Sequence, residues 1–148
     1  VQGDEPMIHP DMISESVEPI ILNEDILVTN LMAEIKTEEE FCDPNSIKVV
    51  FDDDKNALYF SREPIPSKGN IKVNRAFKQI CVIPFRRNFL IEYLKLRPTP
   101  LEAIESIDML RILENGMKVK MVKTNHETHA VDTKEDLIKV ESMMDERA

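Results

Sequence analysis

The chain has 148 residues, 42% of them hydrophobic, with a net charge of −9 and a pI near 4.9. That is enough apolar material for one globular domain over 1–148, while an acidic surface with scattered basic residues argues against a nucleic-acid partner, which needs clustered Lys and Arg. No stretch approaches the roughly 20 uncharged apolar residues of a membrane span, and no basic-then-apolar leader opens the chain, so a cytoplasmic protein is expected.

Met12 to Leu22 reads as a helix, with Ile13, Val17, Ile20 and Ile21 near one face and Pro19 interrupting it. Ile26 to Ile35 is apolar and partly β-branched, which predicts a buried strand. Thr37 to Glu40 predicts a short capped turn of helix, with Thr37 as cap and Glu40 reaching back. Ile47–Phe51 and Ala57–Phe60 predict a hairpin around Asp52-Asp53-Asp54-Lys55-Asn56. Three consecutive Asp invite a calcium reading, but the EF-hand spacing and its Gly are absent, so a solvated turn is expected.

Arg62 to Lys78 reads as irregular, and Gln79 to Pro84 as an apolar strand. Phe89 to Leu96 reads as helical. Thr99-Pro100-Leu101-Glu102 is a capping box with Pro at the first helical position. Leu101, Ile104, Ile107 and Leu110 then predict one long helix that Gly116 stops. Met117, Val119 and Met121 alternate with Lys118 and Lys120, a half-buried strand. A last helix is expected over Lys134 to Met144, capped by Asp132 or Thr133. The order implies an α/β layout. Cys42 and Cys81 are too few for a disulfide framework and lie in no CxxC pair, so both are expected as small buried hydrophobes in a reducing compartment. Neither GxGxxG nor GxxxxGK[ST] occurs, so a nucleotide enzyme containing this sequence must keep its phosphate-binding loop elsewhere.

Val1-Gln2-Gly3-Asp4-Glu5-Pro6 is similar to the strand-end motif of the 3-deoxy-manno-octulosonate (Kdo) cytidylyltransferases, the CMP-Kdo synthetases. Further motifs follow in family order: Phe41-Cys42-Asp43-Pro44-Asn45, Ala57-Leu58-Tyr59-Phe60-Ser61-Arg62, Pro98-Thr99-Pro100-Leu101-Glu102, and Val131-Asp132-Thr133 with Glu135-Asp136-Leu137. The resemblance covers essentially the whole chain and corresponds to the C-terminal part of the family. It implies a partial Rossmann-like nucleotidyltransferase sheet with flanking helices. It also implies a β-hairpin dimerisation region, with the N-terminal strands and the loop that grips CTP lying outside this sequence. If strands are removed from a parallel sheet, an isolated piece would be dimeric, swapped or aggregation-prone.

The resemblance further implies transfer of CMP from CTP to an acidic keto-sugar, with magnesium and release of pyrophosphate. Asp4 and Asp132 match the family's metal aspartates, Asp4 at a strand end and Asp132 before a helix, where it could equally serve as an N-cap. Arg62 matches an arginine of the sugar site, where a guanidinium suits a carboxylate. Gln2 matches a glutamine that hydrogen-bonds the sugar. Departures cluster at that sugar: Gln79 stands where the family typically has His, Ile83 where it has Tyr, and Asp108-Met109 where it has Glu-Gln. The expectation is retained cytidylyl transfer with an altered acidic sugar. The partners expected are CTP, the sugar and a second copy of the chain. A non-catalytic oligomerisation or binding module derived from the family is the alternative. His126 and His129 are expected at the surface, and His9 could sit near the site.

Overall fold

A computed structural model describes residues 1–67, 76–131 and 133–145. Asp132, expected as a metal ligand or helix cap, lies outside the described residues.

Helix α1 (Pro10–Leu22) begins where Pro10 occupies the first helical position and the His9 ring accepts from the Asp11 N–H at 3.2 Å. Pro19 does not end it; the helix runs on to Leu22, and the Asn23 N–H donates to Pro19 O at 3.1 Å. The buried face is Met12, Ser16 and Ile20, so of the expected Ile13, Val17, Ile20 and Ile21 only Ile20 is fully inward. Ile13 and Ile21 are exposed. The rotation has a polar cause: the fully buried Thr29 hydroxyl donates to Ser16 O at 2.5 Å, which brings the Ser16 side of α1 against the sheet.

The strands are β1 (Thr29–Glu34), β2 (Lys48–Phe51), β3 (Ala57–Ser61), β4 (Phe77–Ile80) and β5 (Lys120–Lys123), in the order β3-β2-β4-β1-β5. The sheet is mixed: β1 and β5 are parallel and the other described pairs antiparallel. The α/β layering and the antiparallel hairpin match the expectation. The two edge strands also meet at one end, where Ala57 N donates to Val119 O at 2.9 Å and Met121 N to Lys55 O at 2.7 Å.

β1 is central and apolar because it is covered on both faces. Leu31 packs with Met12, Ile80 and Val82 under α1. Met32 points the other way, into a core with Val49, Phe60, Phe89, Leu110 and Ile112. That larger core is roofed by α3 (Arg87–Tyr93) and α5 (Met109–Glu114), with α4 (Pro100–Glu105) packed against α5. α2 (Glu38–Cys42) is capped by Thr37 Oγ1, which accepts from Glu40 N, while the Glu40 carboxylate takes the Lys36 N–H rather than that of Thr37. In the hairpin turn the Asp52 carboxylate accepts from the Asn56 backbone N at 2.7 Å.

Three element expectations change. β4 starts at Phe77, inside the segment expected to be irregular. Its pleat breaks at Cys81, although Val82 O and Pro84 O still accept from Leu31 N and Thr29 N. Lys120–Lys123 replaces Met117–Met121 as the last strand. The long helix is two helices, because Ser106 adopts a left-handed φ of 55°. Gly116, at φ 73°, does stop the second. Cys42 is exposed and Cys81 half-buried, since each sits where an element ends rather than on an inward face. α6 (Lys134–Asp145) is capped reciprocally, Asp136 N donating to Thr133 Oγ1 and Thr133 N to Asp136 Oδ2.

Candidate active-site cleft

The polar ends of these elements surround a cleft of about 800 Å³, and Gln2, Asp4, Arg62, Gln79 and Asp108 all line it. They come from four separate places: the N-terminal segment, the exit of β3, β4, and the start of α5. Gly3 and Asp4 form a turn that Glu5 N closes onto Gln2 O at 3.4 Å.

Two contacts fasten this turn to the far end of the chain. Val131 N donates to Asp4 O at 2.8 Å, and Thr128 Oγ1 donates to the buried Glu5 carboxylate at 2.7 Å. The first places the chain neighbour of Asp132 directly against Asp4. Asp4 Oδ1 is itself buried and has no hydrogen-bond partner among the described residues. A buried carboxylate oxygen without a donor is costly unless something positive completes it. A hard oxygen ligand of that kind fits a magnesium ion.

Arg62 is tied down more than a surface arginine. Its Nε donates to Glu105 O (2.7 Å), Nη1 to Pro44 O (3.0 Å) and Nη2 to Ser106 O (3.3 Å). The Glu105 carboxylate takes Tyr59 Oη, Ser61 Oγ and Arg62 N in return. Desolvation, reinforced by the Glu105 charge, pushes the Tyr59 phenol upward, so Tyr59 stays a donor. The hairpin is thus clamped to the break between α4 and α5, and the left-handed Ser106 is held open by the arginine's fork. Lys has no such fork. Arg62→Lys is expected to destabilise the protein by about 1–2 kcal/mol, read by thermal denaturation. A variant as stable as the parent would mean the clamp is idle.

Asp108, at the start of α5, makes no side-chain cap and is exposed to the cleft. Gln79 Nε2 donates to Asn30 Oδ1 at 2.6 Å. Several cationic groups of the cleft are neutralised internally: Lys36 by Glu127, Lys78 by Glu40 and Lys123 by Glu34. The Glu127 hydrogen bond and charge hold the Lys36 ammonium above its ordinary range.

Sequence reasoning missed Glu5 and Asn30. Glu5 sits inside the Gln2–Pro6 motif, but nothing in the sequence shows that it, rather than Asp4, is the buried acid with a partner. Asn30 did leave a signal, being the polar residue in the middle of an apolar strand.

His9 and His126 come together with Asp11 at the cleft rim, their ligand atoms within 4.8 Å of one another. The rings stack at 4.6 Å with planes 10° apart. Imidazole lone pairs lie in the ring plane, so two stacked parallel rings cannot both point at one ion. His9 Nδ1 is moreover engaged as the α1 cap. His129 Nε2 lies 3.1 Å from Asp136 Oδ1.

The sequence profile of the family described as cytidylyltransferase matches residues 1–120. The 3-deoxy-manno-octulosonate cytidylyltransferase of Geobacter metallireducens is 41% identical over 151 residues, covering 95% of this chain and 59% of the relative. That of Fusobacterium nucleatum is 43% identical over 143 residues, covering 95% and 57%. The mitochondrial enzyme of the same description from Arabidopsis thaliana is 40% identical over 150 residues, covering 99% and 51%. A solved structure of CMP:2-keto-3-deoxy-manno-octonic acid synthetase complexed with CTP matches with a TM-score of 0.90 at 31% identity, over 100% of this chain and 61% of that one. The chain spans about three-fifths of the length of the first two relatives.

Proposed function

The chain belongs to the cytidylyltransferase family, and on that premise we propose that it forms the sugar-side and metal-side part of an enzyme that transfers CMP from CTP to an acidic keto-sugar, Kdo or a relative of it. The observation that carries this reading is that Gln2, Asp4, Arg62, Gln79 and Asp108, chosen on sequence motifs alone, line one cleft.

In that reaction the sugar's anomeric hydroxyl oxygen bonds to the α-phosphorus of CTP. The hydroxyl loses its proton, and the bond to pyrophosphate breaks. Asp4, through its unpartnered Oδ1, and Asp132 would hold magnesium, which when bound offsets the charge on the phosphate oxygens. The Val131–Asp4 backbone bond keeps the two segments that carry these aspartates together. Of the five guanidinium N–H donors of Arg62, three are engaged by carbonyls. The remaining two, one on each terminal nitrogen, have no partner among the described residues and would meet the sugar carboxylate. Gln2, Gln79 and Asp108, which line the same cleft, then bind hydroxyl groups.

The homodimer belongs to the same proposal. Leu58 on β3, Leu94 just after α3 and Ile104 on α4 are 61%, 71% and 78% exposed, a cost that a second copy would remove.

The test is pyrophosphate release from CTP and Kdo, measured for this chain alone and for a full-length protein containing it. Release that requires both substrates is expected in the full-length protein. No release there, across Kdo and related keto-acid sugars, sinks the proposal. A stable dimer without CTP or magnesium affinity would instead favour a binding or oligomerisation module.

A further inference from the structure

Among the polar groups of the core, Asn30 is fully buried on the central strand β1. Its Nδ2 donates twice, to Leu31 O at 2.9 Å and to Ile80 O at 2.8 Å. Those two contacts fix which end of the amide is which. Reversing it would set Oδ1 within hydrogen-bond distance of two carbonyl oxygens, with no proton between them. Asn30 Oδ1 is therefore an obligate acceptor, and it faces Gln79 at 2.6 Å. Gln79 must meet it with Nε2, because the reverse would place two oxygens in contact. The consequence propagates outward, since the contact with Asn30 leaves the Gln79 carbonyl oxygen and one Nε2 proton unspent, and Gln79 lines the cleft.

We infer that Asn30 is a positioning residue that holds Gln79 with its carbonyl oxygen toward the cleft, so that this oxygen selects a ligand group that donates a hydrogen bond. The chemical class that this oxygen takes follows: a donor such as a sugar hydroxyl or amino group, a hydroxyl being able to accept from the second Nε2 proton as well. This rests on the proposed function for the identity of the ligand, but not for the orientation of the amide. It also specifies which replacements at position 79 are equivalent. An imidazole there can donate one N–H to Asn30 Oδ1 and present its other nitrogen to the cleft as an acceptor. Histidine and glutamine are thus interchangeable beside Asn30, and only beside an acceptor.

A buried cross-strand tie with no role in recognition would make the same contacts, so the test needs readouts that such a tie does not move. The first needs no ligand. In side-chain amide NMR one Gln79 Nε2 proton is expected downfield and slow to exchange, and Asn30→Leu is expected to abolish both properties. A Gln79 amide in fast exchange in the parent protein overturns the inference whatever the enzyme does.

The second readout uses the full-length protein with CTP and Kdo. Gln79→Met is expected to raise KM for Kdo about tenfold and leave KM for CTP within about twofold. The Asn30→Leu/Gln79→Met double variant is expected to be no worse than Gln79→Met, because Asn30 acts through Gln79. Gln79→His is expected to keep a KM for Kdo within about threefold of the parent when Asn30 is present, and to lose that in the Asn30→Leu background. An unchanged KM for Kdo in Gln79→Met overturns the inference, as does simple additivity in the double variant. If Asn30→Leu fails to fold, the Gln79→His and Gln79→Met comparison still decides, since both keep Asn30. A parent protein with no activity on CTP and Kdo would count against the proposed function, while the NMR result would stand by itself.

Discussion

Replacing Asp4 by Asn is expected to lower CMP transfer on the order of 100-fold, while the melting temperature stays level or rises. The two halves of that expectation come from one atom. Asp4 Oδ1 is buried and has no hydrogen-bond partner among the described residues, so in the protein without metal it contributes desolvation cost and no compensating bond from them. An amide removes that charge at nearly constant shape, and the Val131–Asp4 backbone bond does not depend on the side chain. Loss of a carboxylate that holds a catalytic metal weakens the ion directly, and even outer partners of such ligands cost 10- to 100-fold when removed. A structural aspartate would behave the opposite way, with stability falling and activity following only as far as the folded fraction does. Initial rates over a magnesium titration, together with a thermal melt of the same variant, separate the two. Full activity in Asp4→Asn, or a melting temperature several degrees lower, would remove Asp4 from the metal site.

How much of this was legible beforehand depended on whether a feature was local. The Glu102 carboxylate reaching back to Thr99 N, the Gly116 stop and the Thr133 cap were readable because each is a signal within one turn of chain, whereas the Thr99 hydroxyl half of the expected capping box does not form, Glu102 N donating to Glu114 instead. The break at Ser106 was not, because its cause is distant: Arg62, forty-four positions earlier, holds the Ser106 carbonyl. A helical hydrophobic pattern ran straight through it and put Ile104 inward, where it is 78% exposed. The burial face of α1 was misread for the same kind of reason, since Thr29 selects Ser16 through a hydrogen bond that no periodicity records. The cleft residues were found as a set, through motif order. What each does could not be read that way. Arg62 looked like a free ligand-binding fork and is mostly a clamp, and Gln79 looked like a lost histidine until Asn30 was seen behind it.

The largest stability effect is expected at Glu102, whose side chain is 10% exposed and pairs with an Arg111 side chain that is 18% exposed. Arg111 Nε donates to Glu102 Oε2 at 2.8 Å, Nη2 donates to Oε1, and Thr99 N donates to Oε2 at 3.1 Å. The Glu114 carboxylate closes the other side, accepting from Leu101 N and Glu102 N. Glu102→Ala leaves a largely buried guanidinium unpaired and uncaps α4. It is expected to cost about 3 kcal/mol, or roughly 10 °C in melting temperature for a chain of this length.

The pH dependence has a definite sign. The Arg111 hydrogen bonds, and that from Thr99, hold the Glu102 carboxyl below the ordinary carboxylate value of 4.5, against the opposing effect of burial. Its folded pKa is thus lower than its unfolded one, and its contribution is fully present above about pH 4.5 and lost as pH falls below that. Arg111 is pushed further upward by the Glu102 hydrogen bond and does not titrate in this window. Glu102→Gln should therefore flatten the acid limb of the stability profile below pH 4.5, at a smaller cost at neutral pH than Glu102→Ala. Removing both charges, as Glu102→Gln with Arg111→Met, should cost less than the sum of the single variants, because the penalty lies in stranding one charge and not in losing the pair. Strict additivity in that cycle, measured by denaturant unfolding at pH 7, would mean the two side chains are held apart by solvent and the α4–α5 corner is fixed by its backbone alone.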